Sequence, residues 1–469
     1  MKLNQIIRGT GANILHGTPE TEITAICNDS RKAAPGSLFI AVKGFERDGH
    51  DYIDAALAAG ASAVVDADRR GLALLAANFY DHPSEKLTLV GITGTNGKTT
   101  TVTLLYHLFS GLGYCCGLLS TIANFVGSSR SETANTTADP ITLNSLLAQM
   151  VDAGCEYCFM EVSSIGVEQE RVTGLHFKVG IFSNLTHDHL DYHKTFAEYL
   201  RCKKRFFDEL GPDAVALINL DDKNGPVMVQ NTAAKVVTFA CKNAADHTCR
   251  ILEESFDGML LRIDGDEVWT RLIGEHNASN LLAIYATARV LGAPKDEVLV
   301  GLSKLESATG RLETIRGPRG LSIVIDYAHT PDAMKNVLKT LRDIAPEKEL
   351  ICLFGCGGDR DRTKRPEMAA VAGEFADRVV VTSDNSRSER TEDIFEDIKA
   401  GFKPADLGKT VFLTDRREAI RTAILFAKPG ATILLAGKGH ETYQILGTQK
   451  NHFDEREVVA EVLKTIKEA

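Results

Sequence analysis

The chain alternates between short apolar runs and amphipathic segments, and this alternation is the feature that most constrains its fold. From residue 318 onward, the runs SIVIDYA, ELICLFG, RVVVTSD, TVFLT and ATILLAG have the length and composition of strands. The segments between them, such as PDAMKNVLKTLRDIA and REAIRTAILFA, have helical spacing. Such alternation predicts a largely parallel sheet with helices on both faces. Ligands bind these sheets beyond the carboxyl ends of the strands, so functional residues are expected in the loops there.

A length of 469 residues predicts roughly three domains. The polar, turn-rich segment HPSEK interrupts the pattern near residue 85, and the regular alternation begins near residue 318. We therefore predict an α/β protein with three domains. These are a small N-terminal α/β domain at residues 1–88, a central domain with a mostly parallel sheet at residues 89–317, and a C-terminal Rossmann-like domain at residues 318–469.

Charge and apolar content exclude several function classes. A formal net charge of −10 disfavours a general nucleic-acid binder, because phosphate contacts need a basic surface. The N-terminal segment has no long apolar core and no cleavage site, and no run approaches 18 apolar residues, so we expect neither a signal peptide nor a membrane span. The ten cysteines are scattered, as is typical of reduced thiols. We expect a cytoplasmic protein that binds neither nucleic acid nor membrane.

Cys155 and Cys158 form a CxxC pair, which could indicate redox or zinc chemistry. The surrounding segment GCEYCFMEV has the composition of a buried strand, in which positions three apart point to opposite faces. This geometry disfavours a dithiol, so a structural role for both cysteines is the better interpretation.

The segment Gly91–Thr100, GITGTNGKTT, follows an apolar strand and precedes a predicted helix from Lys98 to about Gly111. This is the context of a phosphate-binding loop, in which backbone N–H groups and the positive helix end attract phosphate oxygens. Lys98 would reach the β- and γ-phosphates, and the Thr99 hydroxyl would ligate Mg²⁺. Ile92 takes the place of the first glycine of the usual pattern. The alternative is a glycine turn that binds no ligand.

Two segments that follow predicted strands carry acidic and histidine residues, EVSSIGVEQERV and NLTHDHLDYH. His187, His189 and Asp191 resemble half of a di-zinc motif, but Tyr192 stands where that motif usually has histidine. A Mg²⁺ site with Glu161 and one histidine is the better account, since Mg²⁺ prefers oxygen-rich coordination. The segment YLRCKKRFFDEL that follows would, taken alone, be an amphipathic helix with a basic face.

Together these segments resemble the Mur ligase family, the ATP-dependent amide-bond synthetases of peptidoglycan precursor assembly. The resemblance covers nearly the whole chain and rests on motifs that occur in order: GTNGKTT, NTT, EVSS with Q-x-R, NLTHDHLDYH, HNASN, GRLE, DYAHTPDA, FGCGGDRDRTKRP and GKGHE. It implies that the first domain binds a UDP-sugar, the central domain ATP and the third the incoming amino acid.

The resemblance implies an ATP site with two Mg²⁺ ions. The catalytic residues would be Lys98, Glu161, His189, Lys203, Arg311 and Asp326. Metal ligands would be Thr99, Glu161, His189 and Lys203, the last as a carbamate formed with CO₂; only motif register favours it over Lys204. The residues implied to contact ATP are Gly94, Thr95, Asn96, Gly97, Lys98, Thr99, Thr100, Asn277, Asn280, Arg311 and Asp326.

The resemblance also implies two further substrates, UDP-MurNAc-L-Ala-D-Glu and meso-diaminopimelate. The first would contact Asn28, Ser30, Phe45, Glu46, Arg47, Asn135, Thr136, Thr137, Ser163, Gln169 and Arg171. The second would contact Arg365, Asp384, Asn385, Ser386, Arg387, Gly437 and Glu441. Arg387 favours diaminopimelate, because an arginine fork can bind the distal carboxylate that lysine lacks.

The implied reaction joins diaminopimelate to the γ-carboxylate of D-Glu through an acyl phosphate, in a monomer. Ser386, Ile165 and Ala138 depart from the family pattern, which usually has proline, histidine and proline there. Alternatives are the same ligase with L-lysine or another diamino acid, and a ligase similar to folylpolyglutamate synthetase. Two more are an ATPase that drives a partner and a binding protein without catalysis. FGCGGDRD is not a nicotinamide site, because Arg360 takes the place of the third glycine.

Overall fold

The protein is represented by a computed structural model that describes residues 1–44, 47–133, 135–186 and 190–467. Within these residues, the long strands form three sheets that follow one another along the chain, and a hairpin lies near the C-terminal end. Helices lie against all three sheets. The exact domain boundaries stay predictions.

The N-terminal part of the chain forms a small mixed sheet. Its strands are β1 Asn13–His16, β2 Ala25–Cys27, β3 Ser37–Ala41 and β4 Ala63–Asp66, and its helices are α1 Leu3–Ile6, α2 Ile53–Ala58 and α3 Arg69–Phe79. The strand order is β1–β4–β3–β2, with β1 antiparallel to β4 and the others parallel. Side chains alternate along β3, so Leu38 and Ile40 pack with α1 and α3, and Phe39 packs with α2.

The central part of the chain forms a long sheet whose middle is parallel. Its strands are β5 Thr88–Thr93, β6 Cys116–Leu119, β7 Asn124–Val126, β8 Ser129–Ser131, β9 Tyr157–Glu161, β10 Val179–Phe182, β11 Val215–Asn219, β12 Lys235–Ala240, β13 His247–Ser255, β14 Gly258–Ile263 and β15 Asp266–Thr270. The order is β15–β14–β13–β12–β11–β10–β5–β9–β6–β7–β8. Strands β6 and β9 to β13 run parallel to β5, while β7, β8, β14 and β15 extend the edges as antiparallel hairpins.

The helices of the central part are α4 Lys98–Gly111, α5 Pro140–Asp152, α6 Ser164–Glu168, α7 Leu190–His193, α8 Phe196–Asp208, α9 Gly225–Met228, α10 Glu275–Val290 and α11 Lys295–Lys304. The predicted helix after the glycine-rich segment is confirmed as α4, and its Leu104, Leu105, Leu108 and Phe109 are buried in the core as their spacing predicts.

The C-terminal part of the chain forms the sheet that the alternation predicts. Its strands are β16 Glu313–Arg316, β17 Ser322–Asp326, β18 Leu350–Phe354, β19 Arg378–Thr382, β20 Thr410–Leu413 and β21 Thr432–Ala436, in the order β16–β17–β21–β18–β19–β20. Only β16 is antiparallel to its neighbour. A separate hairpin pairs β22 Tyr443–Leu446 with β23 Gln449–His452.

Helices cover both faces of this third sheet, which confirms that expectation. The helices of this part are α12 Pro331–Ile344, α13 Lys364–Phe375, α14 Thr391–Lys399, α15 Pro404–Leu407, α16 Arg416–Leu425 and α17 Glu455–Lys467. Val324, Cys352 and Leu434 pack with α12 and α13, while Ile323 and Ile433 pack with α16 and α17. Among the described residues, no helix combines the length and the apolar character needed to cross a membrane.

The CxxC pair does not lie within one strand, so the expectation that both cysteines belong to it is wrong. Cys158 is buried in β9, whereas Cys155 precedes that strand in a turn closed by its own N–H donating to the Met150 carbonyl. The Cys155 thiol lies 3.3 Å from the Cys115 thiol. Burial raises the pKa of Cys155 to about 11 and that of Cys158 as well, which favours the thiol forms.

The third sheet supports a prediction about packing. Leu434→Ala removes a fully buried side chain from a central strand and should lower the free energy of unfolding by about 2–5 kcal/mol, because a cavity remains. The same substitution at Leu446, whose exposed fraction is 43%, should change it by less than about 0.5 kcal/mol. Urea unfolding followed by tryptophan fluorescence and circular dichroism measures both. Equal losses for the two variants would contradict the buried position of Leu434.

Candidate active site

The glycine-rich loop between β5 and α4 is held against the loop that follows β10. Gly94 has φ of 154° and Gly97 has φ of 87°. A Cβ atom at Gly94 would lie 1.9 Å from the Ser183 hydroxyl, and one at Gly97 would lie 2.4 Å from Asn280 Oδ1. Both positions therefore require glycine, because a side chain would push the loop away from its support. The Asn96 N–H donates to Asn184 Oδ1 at 2.9 Å.

Lys98 lies over this loop. Its Nζ donates to the carbonyls of Gly94 and Thr95 at 2.9 and 2.8 Å. The lysine is the first residue of α4, so its ammonium lies at the positive end of that helix. Ammonium, helix end and loop N–H groups together form an environment that suits phosphate oxygens.

Thr99 and Glu161 meet at the carboxyl ends of neighbouring strands. The Thr99 hydroxyl donates to Glu161 Oε1 at 2.8 Å, and the Thr121 N–H donates to the same oxygen at 2.8 Å. Arg311 Nη2 lies 3.3 Å from the Thr99 hydroxyl oxygen, to which it donates. Glu161 is buried at the end of β9. A hydroxyl and a buried carboxylate side by side fit a hard cation such as Mg²⁺.

Lys203 reaches the same place from α8. Its side chain is buried, and Nζ donates to the Gly94 carbonyl at 2.8 Å and to the Thr93 hydroxyl at 3.4 Å. Lys204, the adjacent residue, instead pairs with Asp208 at 2.5 Å. In the part of the chain that the structure describes, no three His, Cys, Asp or Glu side chains are grouped as metal ligands. His189, the fourth predicted ligand, lies outside the described residues, as do Phe45 and Glu46.

A cavity of about 300 Å³ adjoins the loop and contains many of the residues predicted to contact ATP. It is lined by Asn96, Gly97, Thr100, Asn277, Asn280, Arg311 and Asp326. Asn280 Nδ2 donates to Asn277 Oδ1 at 3.1 Å, which fixes both amides. A second cavity of about 190 Å³ beside it is lined by residues 95–100 together with Glu161, Ser163, Lys203, Arg311 and Asp326.

Asp326 connects the third sheet to this site. Its carboxylate accepts from the N–H groups of Leu312 and Ala328, both at 2.7 Å. Burial raises the pKa of Asp326, and the nearby Arg311 opposes that rise. The Arg311 guanidinium also lies 4.8 Å from the ring centre of Tyr327. Arg311 and Asp326 are therefore brought together, although β16 and a turn separate them in sequence.

Four of the residues predicted along the UDP-sugar peptide, Thr137, Ser163, Gln169 and Arg171, form a cluster beside Glu161. The buried Thr137 donates through its hydroxyl to the Glu161 carbonyl at 2.9 Å, and the Ser163 N–H donates to that hydroxyl at 3.0 Å. Arg171 Nη1 donates to the Thr137 carbonyl at 2.6 Å, and its Nη2 donates to Gln169 Oε1 at 2.6 Å. Asn28 and Ser30 follow β2 in the first sheet, and Arg47 is exposed on the same part of the chain.

The residues predicted to contact the amino acid follow β18, β19 and β21. Asp384, Asn385 and Ser386 are buried after β19, and Gly437 follows β21 with φ of 110°. Asn385 Nδ2 donates to Glu441 Oε2 at 2.9 Å. A Cβ atom at Gly358 would lie 1.9 Å from the Ser386 carbonyl oxygen, so a glycine after β18 lets the two loops meet.

The two predicted arginines of this region have different surroundings. Arg365 is fully buried, and its guanidinium pairs with Glu389 at 2.8 Å and Asp397 at 2.7 Å. Arg387 is half-buried, has φ of 50°, and donates from Nη1 to the Gly358 carbonyl at 2.7 Å. Arg365 thus joins two carboxylates of its own chain, while the guanidinium of Arg387 contacts the carbonyl of Gly358 in the loop after β18.

Four residues of the site were not identified from the sequence. Asn184 supports the phosphate loop, and His276 lines the larger cavity, where burial lowers its pKa to about 4 and keeps its imidazole neutral. Lys438 and Arg416 donate hydrogen bonds to Asn385 and Ser383, which lie in the loop after β19. Asn184, His276 and Lys438 belong to the motifs quoted above, so their place in those motifs could have identified them. Arg416 lies in an amphipathic helical segment outside the motifs, and nothing in the sequence distinguishes it.

Comparison with protein families matches three consecutive models to the chain. Residues 22–84 match the Mur ligase family catalytic domain, residues 92–288 the Mur ligase middle domain, and residues 310–439 the Mur ligase glutamate ligase domain. Together they cover most of the chain, in the order of the three sheets.

Among curated relatives, the chain is 48% identical to UDP-N-acetylmuramoyl-L-alanyl-D-glutamate–2,6-diaminopimelate ligase of Cytophaga hutchinsonii, over 99% of this chain and 100% of that protein. It is 38% identical to the protein of that name from Clostridium perfringens, over 99% and 100%.

Among solved structures, one titled as the same ligase superposes with a TM-score of 0.72 at 31% identity, covering 100% of this chain and 99% of that one. Folylpolyglutamate synthase of Mycobacterium tuberculosis, at 19% identity and a TM-score of 0.62, covers 77% of this chain and 91% of its own, which is a likeness of fold alone. These comparisons confirm the predicted three-domain α/β fold and the resemblance found in the motifs: the chain belongs to the Mur ligase family.

Proposed function

We propose that the chain is an ATP-dependent ligase that joins meso-diaminopimelate to the γ-carboxylate of D-Glu in UDP-MurNAc-L-Ala-D-Glu, a step of peptidoglycan precursor synthesis. Relatives with that activity in their names align over the full length of the chain. The observation that carries the proposal is the 190 Å³ cavity, which Lys98, Glu161, Ser163, Lys203 and Asp326 line together. Groups suited to a phosphoryl donor, a cation and a carboxylate substrate thus share one space.

The residues that line the site fit ATP and Mg²⁺. The loop N–H groups and Lys98 suit the phosphates, and the neutral His276 and the paired amides of Asn277 and Asn280 suit an uncharged base and its sugar. Thr99 and Glu161 would hold Mg²⁺, and two such ions would supply charge neutralisation at the transferring phosphoryl group. Arg311 reaches the same hydroxyl, so it would add positive charge at that position.

Lys203 is proposed to act as a carbamate. Its Nζ contacts the Gly94 carbonyl, and a carbamate nitrogen keeps one hydrogen that can donate to this acceptor. The two new oxygens would turn a buried cation into an anion beside Glu161, which would complete an oxygen-rich cation site. CO₂ adds only to the neutral amine, so the Lys203 ammonium would have to lose a proton before the carbamate forms.

The peptide substrate would extend from the first domain along the cluster of Thr137, Ser163 and Arg171. The Arg171 guanidinium can counter the charge of the peptide or the diphosphate. ATP would phosphorylate the D-Glu γ-carboxylate, and the amine of the amino acid, held by the third domain, would attack the resulting acyl phosphate. Closing the third domain over the central one would align the two groups and exclude water.

The amino-acid site is proposed to favour diaminopimelate through charge. Asp384 and Glu441 are carboxylates suited to the substrate's ammonium, and Arg387 is suited to its distal carboxylate. We further propose that the protein is cytoplasmic, since ATP and nucleotide-linked precursors are the proposed substrates. We also propose that it acts as a monomer.

A product assay tests the function. Incubation of the protein with Mg·ATP, UDP-MurNAc-L-Ala-D-Glu and meso-diaminopimelate should give the mass of the UDP-tripeptide, and L-lysine in its place should give little product. Product mainly with lysine would keep the ligase and contradict the role of Arg387. ATP hydrolysis with no product from either amino acid would contradict the proposal and favour an ATPase. ATP turnover that requires a folate would favour a folylpolyglutamate-synthetase-like ligase.

Arg387→Ala tests amino-acid recognition. The KM for meso-diaminopimelate should rise about tenfold or more, since a charge-assisted pair with the distal carboxylate is lost. The control is Arg390→Ala three residues away, whose side chain is 75% exposed and 3.7 Å from Glu392; its KM should stay at the wild-type value. Initial-rate kinetics at saturating ATP and UDP-dipeptide measure both. An unchanged KM in Arg387→Ala would remove the charge argument for diaminopimelate.

Lys203→Ala tests the carbamate. This variant should lose ligase activity by about a hundredfold or more, and millimolar acetate should restore part of it by supplying a carboxylate in the vacated space. Lys204→Ala, the matched control, should keep most of its activity because Lys204 pairs with Asp208. In the wild-type protein, ¹³C NMR under ¹³CO₂ should show a carbamate signal that the Lys203 variant lacks. The signal's presence in both proteins would contradict the assignment.

A further inference from the structure

The buried ammonium of Lys438 lies beneath the loops that are proposed to bind the amino acid. The lysine follows Gly437 after β21, and its side chain has no exposed surface. Nζ donates to the Tyr443 carbonyl at 2.8 Å, to Glu441 Oε2 at 3.0 Å and to Asn385 Oδ1 at 3.1 Å. An ammonium has three hydrogens, and three acceptors take them. Lys438 therefore cannot also bind a substrate, and any effect on the reaction must pass through its partners.

These partners include residues predicted to contact the amino acid. Asn385 Oδ1 accepts from Lys438 and from the Ile445 N–H at 2.9 Å, so its Nδ2 must face away from them, toward Glu441 Oε2. Both Lys438 and Asn385 use the Oε2 atom of Glu441, which turns Oε1 away from the two contacts. The amide and the carboxylate are thus fixed in orientation by one cation.

Asp384 is held in the same way, at longer range. Its Oδ1 lies 3.8 Å from Lys438 Nζ and accepts from the Asn385 N–H at 2.5 Å. Burial raises the pKa of Asp384, but Lys438, Arg416, the Asn385 N–H and His329 together more than offset this, and the pKa is lowered. The carboxylate consequently stays ionised in a site from which water is largely excluded.

Arg416 is a second buried cation in this region. It is buried and donates to the Ser383 carbonyl after β19 at 3.1 Å and to the Ala436 carbonyl of β21 at 2.8 Å, while Nε pairs with Glu455 at 2.9 Å. It ties together the two strand ends that carry Asp384 and Lys438. Two buried cations, Arg416 and Lys438, therefore lie close to the carboxylates of this region.

We infer that Lys438 is a positioning residue for the incoming diamino acid: it orients Asn385 and Glu441 and places a positive charge beside Asp384, so that these groups are held ready for the substrate's ammonium. This inference rests on the proposed function and adds a determinant of amino-acid affinity that does not touch the substrate. Because ATP and the UDP-dipeptide are bound by other residues, the effect should be confined to one of the three substrates.

The test is Lys438→Met, which keeps an unbranched side chain but removes the charge. We expect the KM for meso-diaminopimelate to rise about tenfold or more, with the KM values for ATP and UDP-MurNAc-L-Ala-D-Glu within about twofold of wild type. The matched control is Lys409→Met in the same domain. Lys409 also donates to two carbonyls, those of Gly373 and Ala376, but it precedes β20 at the other end of the sheet. All three of its KM values should stay near wild type.

The outcomes separate the inference from the function. Wild-type protein that makes no UDP-tripeptide would overturn the proposed function itself. An active wild type with a Lys438→Met variant whose three KM values are unchanged, or rise together, would overturn the positioning role and leave the function standing. A loss confined to the amount of folded protein, seen by thermal unfolding, with unchanged KM values would likewise mean a structural role only.

A second comparison applies if Lys438→Met does not fold, because the single change removes the cation that lies 3.0 Å from Glu441 and 3.8 Å from Asp384. The double variant Lys438→Met/Glu441→Gln removes one negative charge as well and is compared with Glu441→Gln alone. The double variant should have a KM for diaminopimelate several-fold above that of the single one, since Asn385 and Asp384 lose their support. Equal KM values would overturn the inference.

Discussion

The parallel pairing of β5 between β9 and β10 is the constraint on which the site depends. Residues 90 and 179, and residues 92 and 161, are register partners, so the three strands end at the same level. The phosphate loop, Glu161 and the Ser183–Asn184 turn therefore leave the sheet side by side. Hydrogen bonds that join residues about 60 to 90 positions apart in sequence follow directly from this alignment, including Thr99 to Glu161 and Asn96 to Asn184.

The carboxyl ends of strands in the third sheet also contribute residues to this site. Asp326 ends β17 and binds the N–H of Leu312, and Asn96 Nδ2 of the phosphate loop donates to Asp332 Oδ2 near the start of α12 at 3.2 Å. The contact between Asn96 and Asp332 brings the phosphate loop to the edge of the domain that carries the residues proposed to bind the amino acid. A ligase must hold an activated carboxylate and an amine together, and two strand-end surfaces that face one another can do this with loops alone.

Charge balance within the third domain is the other physical requirement. Its amino-acid loops contain several buried or half-buried carboxylates, each of which would be costly without a cation. Arg365 pairs with Glu389 and Asp397, and Arg416 pairs with Glu455. Lys438 pairs with Glu441 and, at longer range, with Asp384. Arg387 is half-buried, and its Nη1 donates to the carbonyl oxygens of Gly358 and Asn385. Because Arg365 already pairs with Glu389 and Asp397, we propose Arg387 as the arginine for the substrate's distal carboxylate.

The sequence by itself determined the α/β class, the helix after the phosphate loop, the sheet of the last third and the family, because periodicity and motif order are local properties of the chain. It did not determine the antiparallel edges of the central sheet, since short hairpins and parallel strands have similar composition. Nor could it show that Lys203 contacts the phosphate loop while Lys204 pairs with Asp208, or that Lys438 and Arg416 lie beneath the amino-acid loops. Those facts depend on which distant groups meet when sheets and helices pack, and only the tertiary structure decides that.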